Sequence, residues 1–172
     1  MEEWDLLNAD RELTGKTHIR GEKLAPGELH LVVHVCIFNE KGQLLIQKRQ
    51  KDKEGWPNYW DLSAAGSALK GETSRQAAER EVQEELGIAI DLSNTRAKFS
   101  YHFEAGFDDY WFITKDVELS DLTLQKEEVA DARFVTKEAL EVLRSSGEFI
   151  PYFFLNQLFN LKNATSIHFL RI

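Results

Sequence analysis

A single cysteine, Cys36, in 172 residues rules out an intramolecular disulfide and leaves none of the spaced cysteine sets that structural zinc requires. It sits in the apolar run Leu31-Val32-Val33-His34-Val35-Cys36-Ile37-Phe38 and reads as a buried, inert thiol. Proline is scarce too, with three residues spread along a chain that has no internal repeat or low-complexity tract. Nothing therefore marks a linker, and residues 1–172 read as one domain. No apolar segment approaches the ~20 residues needed to span a bilayer. Met1-Glu2-Glu3-Trp4-Asp5 also lacks the basic start and apolar stretch of a secretory signal. The expectation is a cytoplasmic protein with no membrane partner. Positive charge is in deficit: 21 Lys and Arg face 29 Asp and Glu, for a net charge of -8. A nucleic-acid polymer is not an expected partner, because backbone binding depends on clustered cations. An acidic protein can still bind phosphates through metal ions.

What is present, 42% hydrophobic and 11% aromatic residues, suffices for one sizeable core. Residues 29–38 and 43–49 are apolar, β-branched runs around Asn39-Glu40-Lys41-Gly42 and predict a hairpin. After the turn Gly55-Trp56-Pro57-Asn58, Tyr59 to Ala65 predicts one short strand ending at Gly66. Segments 95–104 and 109–117 around Ala105-Gly106-Phe107-Asp108 predict a second hairpin, with a further strand at 131–135 and helices near 137–144 and 150–161. The first 28 residues read as loop-rich, with room for a short hairpin. Strands interspersed with helices indicate an α/β layered domain.

From Thr73 the hydrophobic period changes. Ala77, Ala78, Val82 and Leu86 fall on one side of a helix, and Arg80, Glu81, Glu84 and Glu85 are expected to project from the other. Thr73 with Gln76 has the form of a capping box, and Gly87 suits a C-terminal stop. The i, i+3, i+4 spacing places the carboxylates of Glu81, Glu84 and Glu85 on one face. Three like charges repel, and a divalent cation relieves the repulsion. Mg2+ prefers carboxylate oxygens supplemented by water and substrate phosphates.

The span Gly66 to Ile88 meets every position of the pattern G, five residues, E, seven residues, R-E-U-x-E-E-x-G-U, where U is a bulky aliphatic residue. The residues are Gly66, Glu72 and Arg80-Glu81-Val82-Gln83-Glu84-Glu85-Leu86-Gly87-Ile88. A chance match at background frequencies is on the order of one in a billion per start position, and glutamate-rich helices do not inflate that enough to matter. A merely solvated acidic helix face would explain neither Arg80 nor the glycine loop before it. This is a complete Nudix box, and the chain resembles the Nudix hydrolase superfamily. The resemblance implies an α/β/α sandwich with a mixed β-sheet. It also implies hydrolysis of a diphosphate linkage in a nucleoside diphosphate derivative or related small-molecule diphosphate, with Mg2+ as cofactor and Mn2+ as a substitute. Glu84 and Glu85 would ligate metal, Glu81 would be a further ligand or the general base, and the Gly66 carbonyl would join them. Arg80 and Glu72 would pair to brace the loop against the helix. Glu128, in Gln125-Lys126-Glu127-Glu128-Val129, resembles the place where many members carry an extra carboxylate; the competing reading is an ordinary surface glutamate.

Outside the box, Glu3-Trp4-Asp5, Leu29-His30-Leu31, Phe38-Asn39, Lys41-Gly42-Gln43-Leu44-Leu45 and Trp56-Pro57 through Trp60 resemble the type I isopentenyl diphosphate isomerases and their hydrolase-like relatives. Those isomerases carry a cysteine on the strand before the box and a histidine just after its first glycine, where this chain has Ala65 and Ser67. Alanine cannot do acid or base work, so hydrolysis is favoured over isomerisation. The alternatives are isomerase-like activity and a non-catalytic nucleotide-sensing module. Arg49 and Lys53 match basic residues that grip the diphosphate in the isomerases. His30 matches an isomerase metal ligand whose partner is missing here. His30 and His34 share one strand face and read as structural. Trp56, Tyr59, Trp60, Tyr101, Phe103 and Trp111 offer stacking surfaces or simply core. The strands at 99–113 and the run Phe149 to Phe154 offer either a homodimer surface or a cap over a pocket.

Overall fold

In the computed structural model, which describes residues 2–164, Glu3–Leu7 (β1) and Leu13–Ile19 (β2) pair antiparallel as a separate ribbon. A mixed sheet contains His30–Phe38 (β3), Leu44–Arg49 (β4), Trp60–Asp61 (β5), Ala64–Ser67 (β6), Phe99–Phe103 (β7), Gly106–Thr114 (β8) and Val129–Val135 (β9). The helices are Ser74–Leu86 (α1), Lys137–Ser145 (α2) and Leu158–Asn163 (α3).

β3 is apolar on both faces because helices cover both. Its odd positions Val33, Val35 and Ile37 pack with Ala77, Ala78, Val82 and Leu86 of α1. Its even positions Cys36 and Phe38 pack with Leu140 of α2 and Leu158 of α3. This alternation, period 2 across one strand, produces the α/β/α layering expected above. Cys36 is fully buried, and burial pushes its thiol well above the ordinary value. Among the described residues no helix is long and apolar enough to cross a membrane.

The β3–β4 hairpin forms, but its strands splay at once. Only Phe38 and Leu44 pair across it. β3 continues parallel to β8 and antiparallel to β6, whereas β4 continues antiparallel to β9 and β5.

Three sequence expectations need correction. The single strand expected over Tyr59 to Ala65 is two, because the chain changes partners: β5 pairs with β4 and β6 with β3. Ser63 marks the crossing, donating its buried hydroxyl to Leu45 O at 2.6 Å and accepting from Ile37 N at 2.8 Å. The helix expected at 150–161 starts only at Leu158, after a 3-10 turn at Leu155–Gln157. Ile150 N instead donates to Trp60 O at 3.0 Å, and Pro151 has no amide to continue a helical ladder. In the second hairpin the turn is tighter than Ala105 to Asp108, since Gly106, Phe107 and Asp108 already belong to β8. Gly106 begins the parallel ladder opposite His30, and a Cβ there would lie 2.0 Å from the His30 carbonyl oxygen. The glycine serves close strand approach rather than a turn. Replacing it with alanine is expected to lower stability by on the order of 2–3 kcal/mol, read as a shift in the urea midpoint with an unchanged slope.

Candidate active site

The box helix is capped at both ends, which fixes its register. Thr73 Oγ1 accepts from Gln76 N at 3.3 Å, and Gln76 Oε1 accepts from Thr73 N at 2.9 Å. Gly87, at φ 73°, closes the other end by donating to Gln83 O at 3.1 Å. Between the caps the carboxylates do not all project away from the apolar stripe. Glu81 and Glu85 are buried beside Ala77, Ala78 and Val82, and only Glu84 is exposed. Residues 77, 81 and 85 are successive i+4 neighbours, so the apolar stripe that packs on the sheet carries two glutamates in with it.

Each buried carboxylate has its own partners. Glu85 Oε2 accepts from Gln47 Nε2 at 2.8 Å and from Ala65 N at 3.1 Å, tying α1 to β4 and β6. Burial, reinforced by Glu81, pushes its pKa up to about 8. Glu81 is also raised by burial, against the pull of Arg80. Arg80 is the hub. Its Nε and Nη2 fork onto Glu72 at 2.8 and 3.0 Å, and Nη2 also donates to Ser67 O at 3.0 Å. Its Nη1 donates to Glu81 Oε1 at 2.8 Å and Glu84 Oε2 at 2.9 Å. Burial opposes ionisation of Glu72, but Arg80 and the Leu69 amide outweigh it and lower its pKa. The Arg80–Glu72 brace is therefore present, and the same guanidinium spans two further carboxylates.

Gly66 faces Glu81 so closely that a Cβ would meet Glu81 Oε1 at 2.0 Å. Any side chain here would expel the carboxylate. Glu81, Glu84, Glu85 and the Gly66 backbone offer only oxygen donors, which suits a hard divalent cation such as Mg2+. As they stand, no three His, Cys, Asp or Glu side chains among the described residues converge to the spacing of an ion site. Arg80 Nη1 lies between Glu81 and Glu84 and bridges the two carboxylates.

These groups open on a pocket of about 430 Å³. Arg49, Lys53 and Glu128 reach the same pocket from outside the box, each already paired. Arg49 lies 3.3 Å from Asp61 Oδ2 and donates to Gly55 O at 3.0 Å, while Lys53 pairs with Glu128. His34, read from sequence as structural, lines the pocket as well. Its Nδ1 is 3.4 Å from the Tyr152 hydroxyl and its Nε2 is 3.2 Å from Asp108 Oδ1. Tyr152 donates to the buried Asp61 at 2.7 Å. Asp61 is a pocket residue that sequence reasoning does not single out, while Asp108 and Tyr152 fall in the two segments offered as a dimer surface or a pocket cap without being named as site residues. The one signal for Asp61 was a carboxylate inside an apolar strand; Tyr152 was assigned to a helix that does not form there. His30 is buried edge-on to Trp4 at 4.5 Å, and burial lowers its pKa.

Of the candidate aromatics, Trp60 and Trp111 are core, Tyr59 packs edge-on to Trp56, and Phe103 is half-buried. Trp56 is exposed at the pocket, and Tyr101 is exposed against Phe153. The Phe149 to Phe154 run divides: Phe149 and Phe154 join the core, while Ile150 and Tyr152 line the pocket.

Residues 28–154 match the NUDIX domain family. The chain belongs to the Nudix family. It is 94% identical, over 98% of this chain and 100% of the relative, to an uncharacterized Nudix hydrolase of Listeria monocytogenes. An isopentenyl-diphosphate Δ-isomerase of Salmonella heidelberg is 42% identical over 74 residues, 42% of this chain and 41% of the isomerase. The crystal structure of DR0079 from Deinococcus radiodurans superposes with a TM-score of 0.76 at 25% identity, covering 95% of this chain and all of that one. The mixed sheet flanked by helices is thus a Nudix fold, and the protein is a Nudix hydrolase.

Two outcomes follow from the site geometry. Gly66→Ala is expected to leave the protein folded but lower turnover by roughly 10²-fold, because Glu81 must shift by about 1 Å or more; circular dichroism and initial rates check this together. Glu85 protonates more readily when folded, at about 8 against an ordinary 4.5. Its contribution to stability is therefore full below that ordinary value and is lost as pH rises towards the folded one. In chelator, thermal melts between pH 5 and pH 8 should show a decline on the order of 2–4 kcal/mol that Glu85→Gln removes.

Proposed function

We propose that this Nudix protein hydrolyses a diphosphate linkage in a small molecule, a nucleoside diphosphate derivative or related diphosphate, with Mg2+ or Mn2+. The observation that carries the reading is the pairing of Gly66 with Glu81 beside buried Glu85. Three elements of the fold keep oxygen donors where side-chain bulk would remove them, next to a pocket that holds the cations Arg49 and Lys53. Glu84, Glu85 and the Gly66 carbonyl are the assigned metal-holding groups, with Glu81 as further ligand or proton acceptor and Glu128 in support. When bound, a divalent cation would neutralise phosphate charge and acidify the attacking water.

The remaining work falls to the chain. Arg49 and Lys53 exchange their carboxylate partners for substrate oxygens and orient the diphosphate. Water adds at phosphorus, the bridging P–O bond breaks, a site carboxylate takes the water's proton, and the leaving phosphate departs as an anion. Arg80 is anchored on Glu72 and Ser67, so it would keep the loop against the helix if Glu81 or Glu84 turned to a bound cation. Isomerase chemistry lacks a proton-transferring group at Ala65, which offers only its backbone amide to Glu85.

The test is product analysis across nucleoside di- and triphosphates, dinucleotides, nucleotide sugars and isopentenyl diphosphate, with Mg2+ or Mn2+. Glu81→Gln and Glu84→Gln are each expected to lose about 10²-fold or more in kcat while remaining folded. If both keep above a tenth of parental activity, the carboxylate assignment is wrong. Dimethylallyl diphosphate as product would establish the isomerase reading instead.

A further inference from the structure

The ribbon β1–β2 lies N-terminal to the stretch that matches the family, residues 28–154, yet it is fastened to the loop that leads into α1. Lys70 N donates to Glu3 O at 2.8 Å, and the Lys70 ammonium lies 3.1 Å from Glu3 Oε1. Gly71 N donates to Asp5 Oδ2 at 2.7 Å. Gly71 sits at φ 79°, a conformation that glycine adopts without steric penalty. The turn it closes is cross-tied: Glu72 N donates to Leu69 O at 2.9 Å, and Leu69 N donates to Glu72 Oε2 at 2.8 Å. Glu72 forks onto Arg80, whose Nη1 holds Glu81 and Glu84. A continuous series of short polar contacts thus runs from Asp5 through Gly71, Glu72 and Arg80 to two carboxylates of the site.

The other end of the ribbon is anchored as well. Arg11 forks onto Asp109 of β8 at 3.0 and 2.8 Å, and Asp109 is 3% exposed. Burial opposes ionisation of Asp109, but hydrogen bonds from Arg11 and Ser100 outweigh it and lower its pKa. The ribbon also supplies Trp4 to the pocket wall, with Arg20 just after β2. It is held at both ends and borders the chemistry.

We propose that this ribbon is a working part of the active site and that Asp5 is a positioning residue. By accepting the Gly71 amide, it sets the loop 69–72 so that Glu72 and Arg80 hold Glu81 and Glu84 in register for a divalent cation. The inference rests on the metal-dependent reading above. Asp5 acts as an acceptor rather than as a charge, because its partner is a neutral amide.

Asp5→Asn keeps an acceptor oxygen and removes the charge, while Asp5→Leu keeps the branched shape, adds bulk and removes the acceptor. Asp5→Asn is expected to stay within about threefold of the parent in kcat and in Mn2+ affinity, measured by calorimetry on metal-stripped protein. Asp5→Leu should bind Mn2+ roughly 10-fold to 100-fold more weakly and lose kcat in proportion, with KM little changed and the far-ultraviolet dichroism intact. Amide exchange at Gly71 and Glu72, followed without metal or substrate, should rise in Asp5→Leu alone. If Asp5→Leu does not fold, Asp5→Ala takes its place, since Asp5 is only half-buried. Parental Mn2+ affinity and parental exchange at Gly71 in the acceptor-free variant would overturn the inference. If the parent hydrolyses no diphosphate but the Asn and Leu variants still split in Mn2+ affinity, the positioning role stands and the hydrolytic reading is what fails.

Discussion

The structure turns on the cost of burying carboxylates. Glu81 and Glu85 sit on the stripe of α1 that packs against the sheet, where an isolated carboxylate would be driven to its neutral form or would destabilise the fold by several kcal/mol. Arg80 relieves that cost at one end and the amides of Gln47 and Ala65 relieve it at the other. The surroundings follow from this arrangement. Glu72 exists to hold Arg80, Gly66 to leave room for Glu81, and the change of strand partner at Ser63 to bring the Ala65 amide under Glu85.

The same arrangement explains why the site is poised for a cation. Glu85 is held nearer its neutral form by burial and by Glu81, and Arg80 occupies the charge that Glu81 and Glu84 present. A divalent cation held by Glu81, Glu84 and Glu85 would supply compensating positive charge to these oxygens. The contacts of Arg80 with Glu72 and Ser67 O tie the helix to the loop before it, independently of its bonds to Glu81 and Glu84.

The pocket extends this logic away from the helix. Arg49 and Lys53 are each paired with a carboxylate, Asp61 and Glu128, which holds them in place at the pocket. Asp61 links Arg49 to Tyr152, which with His34 and Asp108 forms a polar wall drawn from the C-terminal segment, β3 and β8. None of these segments is adjacent in sequence; the splay of β3 from β4 and the parallel pairing of β3 with β8 bring them together.

The box helix, its caps and the layered order of strands and helices were legible in the chain, because a 3.6-residue period, a Thr-to-Gln cap and continuous apolar, β-branched runs carry their own geometry. The brace between Arg80 and Glu72 came from the resemblance to the Nudix box rather than from spacing. The turn-by-turn reading failed where a distant partner overruled local composition. Gly106 looked like a turn and is a point of close strand contact, and the chain at 150–157 looked helical, whereas Ile150 N bonds Trp60 O and a 3-10 turn precedes α3. The burial of Glu81 and Glu85, the approach of Gly66 to Glu81, the pairing of Lys53 with Glu128, and the reach of Asp5 to Gly71 were decided only by tertiary structure. Each joins residues whose distance in space is set by how sheet, helix and ribbon pack, which no local pattern encodes.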